Sequence, residues 1–118
     1  MALENQSRTV WLGEDVVIPY GPIQDGDGNN IDFSGSTITW RLTTKPGGGE
    51  TVVSKTTGGG ITLLAGDETF EVSIADTDLS GQIARVYYHE VQATLSSGSN
   101  VQIQAPSRFH LRPSAIKS

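Results

Sequence analysis

Strict alternation of apolar and polar residues constrains this chain more than any other feature. In "STITWRLT", Ile38, Trp40 and Leu42 share one parity, while Thr37, Thr39 and Arg41 share the other. In "TFEVSIA" the apolar set is Phe70, Val72 and Ile74. Successive side chains of a strand point to opposite faces. A period of two therefore predicts strands with one face in a core and one in water. Near the start, "EDVVIPY" aligns Val16, Ile18 and Tyr20, with Pro19 on the opposite parity. Proline brings no N–H to a ladder, which predicts an edge strand or a bend at this point.

Two longer strands close the chain. "ARVYYHEVQATL" aligns Tyr87, His89, Val91, Ala93 and Leu95; "NVQIQAPSRFHLR" aligns Val101, Ile103, Ala105, Phe109 and Leu111. Pro106 predicts a bulge in the second, and "SSGSN" between the two reads as a hairpin loop. "ETVVSKT" and "ITLLA", separated by "TGGG", read as a weaker hairpin. No window shows helical spacing. The single candidate turn of helix is "ADTDLSG", residues 75–81, with Asp76 as its cap and Gly81 as its end. About seven or eight strands with regular turn signals predict an all-β fold, an antiparallel β-sandwich.

The chain has 118 residues, enough for one core. Its eight Lys and Arg residues are scattered without a run, and its net charge is −5. That balance argues against a nucleic-acid partner, which needs a clustered cationic face. With no cysteine, disulfides, thiolate metal sites and thiol catalysis are excluded. "MALENQSRTV" has neither a basic n-region nor an apolar stretch, and no apolar run approaches the roughly 18 residues of a membrane span. The expectation is a soluble product made in a cytoplasm without a signal peptide and with no membrane partner.

Several motifs suggest chemistry and then lose it on counting. "QDGDGNNIDFSG" sets Asp25, Asp27 and Asn29 at alternate positions, as a calcium loop does. Such a loop needs Gly at its sixth place and a bidentate Glu at its twelfth, where this chain has Asn30 and Ser36. The stretch reads as a turn. "PGGG" (46–49) and "TGGG" (57–60) lack the Lys-Ser or Lys-Thr and the helix of a phosphate loop, so they read as connections. His89 falls on an inward parity and His110 on an outward one, and no Gly-x-Ser-x-Gly elbow is present. Glu14–Asp15, Asp67–Glu68 and Asp76/Asp78 fall in turns and read as solvated. No catalytic residue, metal ligand or cofactor is implied. Trp40 reads as the core anchor. Trp11 shares its parity with Thr9, against Val10 and Leu12, which leaves it either packed or exposed to a partner. Trp11 is the candidate partner-binding residue.

The order of these pieces resembles a known family. "IQDGDGNNIDFSGSTITWRL" is similar to the "DADG-x-PIDLTGATV" opening of small immunoglobulin-like proteins of tailed bacteriophages, themselves similar to the N-terminal domain of phage baseplate upper proteins. The likeness continues through "SKTTGGGITLL", "ETFEVSIADTDLSG" and "YYHEVQATLSSGSNVQIQAPSRFHLRP", covering residues 9–113. Asn30 replaces the usual Pro and Phe33 the common Leu. The resemblance implies an immunoglobulin-like sandwich over 9–113 with flexible arms at 1–8 and 114–118. It further implies a non-enzymatic structural protein located in the virion, which binds other virion proteins in many symmetric copies. The tail, baseplate or fibre region is the first expectation, and capsid decoration or a head-fibre base the second. A carbohydrate-binding adhesin module is the rival from another class, with Trp11, Tyr20, Tyr87 and Tyr88 as its possible sugar platform.

Overall fold

Each alternating segment forms a strand, and its apolar parity turns inward, except in the middle of the last strand. The computed structural model of the chain describes residues 6–46 and 48–113. Its strands are β1 (Arg8–Trp11), β2 (Val16–Tyr20), β3 (Thr37–Lys45), β4 (Gly48–Thr57), β5 (Gly60–Leu63), β6 (Phe70–Ile74), β7 (Arg85–Thr94) and β8 (Asn100–Arg112). They form one mixed sheet in the order β1-β8-β7-β3-β4-β5-β6-β2, curled nearly into a barrel. No α-helix occurs among the described residues, only a 3₁₀ turn at Asp76–Asp78. Its cap differs from the expected one. Asp78 reaches back so that its Oδ2 accepts from the Ala75 N–H at 2.7 Å, and Asp76 makes no such bond.

The antiparallel expectation is corrected at two places. β1 runs parallel to β8, with Val10 beside Leu111 and Trp11 beside Arg112. The segments "ETVVSKT" and "ITLLA" are not a hairpin: β4 and β5 pair in parallel, over Thr56–Gly60 and Thr57–Ile61 alone. Glycine makes that link possible. Gly58 and Gly60 have φ of 81° and 108°, values open to glycine and costly for other residues. A Cβ on Gly60 would also lie 2.5 Å from Lys55 Cδ. The chain coils once and steps sideways, so β4 ends a five-strand half (β1-β8-β7-β3-β4) and β5 begins a three-strand half (β5-β6-β2).

The interior holds two aromatic groups. Tyr20 stacks on Phe70 at 5.2 Å, and Phe33 meets Phe70 edge-on at 5.5 Å. In the five-strand half, Trp40, His89 and Phe109 meet edge-on at 5.4–6.1 Å. Phe33, Trp40, Phe70 and Phe109 are fully buried. Fully burying side chains of this kind contributes about 1.5–3 kcal/mol each.

Pro19 lies on the sheet's terminal strand β2, exposed, as its missing donor requires. The bulge expected at Pro106 is present: Ser107 pairs with His89 and Gln104 with Val91, so Ala105 and Pro106 oppose Glu90 alone. A second shift lies between Val91 and Gln92. Together they change which side chains turn inward. Gln104 and Ser107 are buried, while Ala105, expected inside, is only partly so.

Candidate functional site

Trp11, the candidate partner-binding residue, ends β1, the outermost strand of the five-strand half, and is 41% exposed. Its backbone is tied down locally. The Trp11 N–H donates to Glu14 Oε1 at 3.0 Å, and its carbonyl accepts from the Glu14 N–H at 3.2 Å. The indole therefore sits on a fixed turn at an open sheet edge.

The register of the neighbouring strands identifies its surroundings. Trp11 lies beside Arg112, Thr9 beside His110, and Val86 beside His110 on the other flank. Tyr88 lies beside Arg108 and Thr43, and Arg41 beside Glu90. All share the outward parity of β1, β8, β7 and β3. The outer face thus carries Trp11, Val86 and Tyr88 among Arg108, Arg112 and His110.

Scattered in sequence, all five arginines converge on these four adjacent strands: Arg8, Arg41, Arg85, Arg108 and Arg112. Glu90 is the lone carboxylate there among the described residues. Three arginines have structural engagements. Arg41 reaches Glu90 at 3.6 Å and Gln92 at 3.3 Å. The Arg85 guanidinium lies over the Tyr87 ring at 5.4 Å, and Arg8 is half-buried beside Tyr20 and His89. Arg108 and Arg112 are exposed, and among the described residues their side chains have neither an ion pair nor a hydrogen bond. Sequence spacing missed this convergence, because β1 becomes a neighbour of β8, and β3 of β7, only in the folded sheet.

Beneath the face runs a hydrogen-bonded network that no motif announced. His89 Nδ1 accepts from the Trp40 Nε1–H at 3.2 Å, which leaves Nε2–H to donate to the Gln6 carbonyl at 2.8 Å. The Gln6 N–H donates to Ser107 Oγ at 3.1 Å. Tyr20 donates to Gln104 Oε1 at 2.6 Å, and Gln104 Nε2 donates to the His89 carbonyl at 2.9 Å. Burial is the main cause that pulls the His89 imidazole down to about 4, with Arg8 adding to it against the Gln6 bond. Burial likewise pushes the Tyr20 phenol well above its ordinary range. A neutral imidazole and a neutral phenol, both satisfied, make a structural network.

The other sequence candidates fall elsewhere. Asp25 Oδ1 accepts from the N–H groups of Asp27 and Asn29 at 2.9 and 3.0 Å, closing the loop on itself. Asp15 Oδ1 accepts from the Asp76 N–H at 2.8 Å. Asp78 binds Lys55 Nζ at 2.7 Å. Burial works to raise the Asp78 carboxyl, but Lys55 and the Ala75 N–H outweigh it and hold it below the usual range. Of the ring platform a sugar would need, Tyr20 and Tyr87 are buried, Tyr88 is partly buried and Trp11 is exposed. A polar shelf of Thr37, Thr39, Gln92, Thr94 and Gln102 lies on the outer face and includes no aromatic ring.

No family model matches the chain, and no curated protein matches it.

Proposed function

We propose that this chain is a non-enzymatic structural protein of a tailed-bacteriophage virion, built as an immunoglobulin-like β-sandwich that binds other virion proteins. The observation that carries the role is the outer face of β1, β8 and β7, where Trp11 stands on the edge strand beside Arg112, and Arg108 lies further along β8 beside Tyr88, both arginines without a side-chain partner among the described residues. Exposed tryptophan and arginine are the residue types enriched where proteins dock. Strand order supports the fold assignment. The order β8-β7-β3-β4 follows the G-F-C-C′ order of a variable-type sheet, and β5-β6-β2 follows D-E-B. The first strand then sits beside the last.

A position in the tail, baseplate or fibre region is the first reading, and capsid decoration or a head-fibre base the second. Many copies under the particle's symmetry would let weak contacts act together. Mass spectrometry of purified particles, with immunogold labelling, tests this. The expected outcome is a stoichiometric component labelled at the tail end. Label over the head selects the second position, and a protein abundant in infected cells yet absent from particles ends the reading.

A further inference from the structure

The carboxylates lie where the arginines do not. Every described carboxylate except Glu90 lies outside β1, β8, β7 and β3, most of them on the three-strand half and the loops around it. On the outer face of that half, Glu71 of β6 stands between Pro19 and Thr62, with Val17 and Ser73 one step along. Glu68, exposed, lies at the turn leading into β6, and Asp67 precedes it. Val17 is 53% exposed. This face therefore carries an exposed apolar residue on its edge strand, one step from Glu71. The arginine face has exposed apolar residues too, Trp11 and Val86 at 41% and 37% exposure, on the strands either side of the Arg108, His110 and Arg112 row of β8.

The two faces bear opposite charge and turn away from each other across the shared core. One copy of the chain cannot bring them together, but two copies can. We propose that copies of this chain associate front to back, with the Arg108/Arg112 face of one copy seated on the Glu68/Glu71 face of the next. A front-to-front pair would set Arg108 and Arg112 against themselves, which like-charge repulsion disfavours. The favoured contact is heterologous: each copy keeps one face of each kind free, so assembly continues into a chain or closes into a ring. Arg108, Arg112 and Glu68 are exposed and Glu71 is partly so, so mobile ions screen the attraction. The Debye length falls from about 30 Å at 0.01 M salt to about 3 Å at 1 M. Association of this kind is weak alone and strongly salt-dependent. This goes beyond the virion reading, because it concerns contact between copies and is read in solution without a particle.

Sedimentation velocity of the full chain across a concentration series tests it, at about 0.02 M and at about 1 M salt. The expected result is a mass that rises with concentration at low salt, and an association constant at least about tenfold lower at high salt. Arg108→Glu with Arg112→Glu should leave a monomer at low salt, as should Glu68→Lys with Glu71→Lys, each with a melting temperature near wild type. Mixing the two double variants should restore association, because each then supplies the charge that the other has reversed. Wild type that stays monomeric at low salt overturns the proposal. So does a mixture that stays monomeric while wild type associates. Monomeric wild type held by a heparin column would assign the arginine face to a polyanion and likewise overturn the pairing of copies.

Discussion

The two aromatic groups of the interior are built on different chemistry. Tyr20, Phe70 and Phe33 touch through hydrocarbon alone, and the one polar atom, the Tyr20 hydroxyl, points out of the group to Gln104. Trp40, His89 and Phe109 enclose an imidazole that accepts from Trp40 and donates to Gln6. Below the ordinary range of the Tyr20 phenol, the first group's contribution to stability does not depend on proton activity. The second holds a titratable ring neutral. A core of nearly uniform burial can thus carry a response to acid in one half only.

The largest effects come from emptying either group. Phe70→Ala and Trp40→Ala should each cost about 3–5 kcal/mol in chemical denaturation. They should differ in pH dependence. The Phe70 loss should be the same at about pH 7 and pH 5, whereas Trp40→Ala admits water to Nδ1, returns His89 toward its ordinary value and flattens the pH profile. Parallel profiles in the two variants would erase the distinction.

Next in size is the pH response of the unaltered chain. His89 titrates near 4 when folded, against 6.5 ordinarily. The unfolded chain therefore binds the extra proton between those values, and stability falls as pH drops from about 6.5 toward 4. The loss between about pH 7 and pH 5 should be roughly 2 kcal/mol, measured by urea denaturation at each pH. His89→Gln should remove most of this slope.

A smaller loss belongs to the link between the two groups. Tyr20→Phe leaves Gln104 Oε1 buried without its donor and should cost about 1–3 kcal/mol. A neutral result would mean that Gln104 finds another partner. Trp11→Ala lies outside both groups and should cost under about 0.5 kcal/mol, the surface range. A loss matching Trp40→Ala would mean that the indole packs rather than waits for a partner.

The strands and their inward sets were legible because alternation is local: each of Ile38, Trp40, Leu42, Phe70, Val72 and Ile74 is buried. The open position of Trp11 was half legible, since parity set it against Val10 and Leu12 without saying what lay beyond. What escaped was set by partners far along the chain. The parallel seating of β1 on β8 joins residues about a hundred positions apart. The burial of Gln104 and Ser107 follows from two register shifts that no residue type announces. The β4–β5 step looked like a hairpin because glycine allows a sideways coil as readily as a reversal.

The parallel seating of β1 on β8 also has a mechanical meaning. Arg8 at the start of β1 lies beside Phe109, and Trp11 at its end lies beside Arg112 at the end of β8. A tension applied at the two chain ends pulls β1 backwards and β8 forwards along one shared axis. That geometry loads the rungs of the ladder together in shear, where a hairpin pulled at its ends would open one rung at a time. Gln6, bonded through both its N–H and its carbonyl to Ser107 and His89, adds two further attachments ahead of the first rung. A chain fastened at both ends inside a larger assembly would resist stretching here before any other strand gave way.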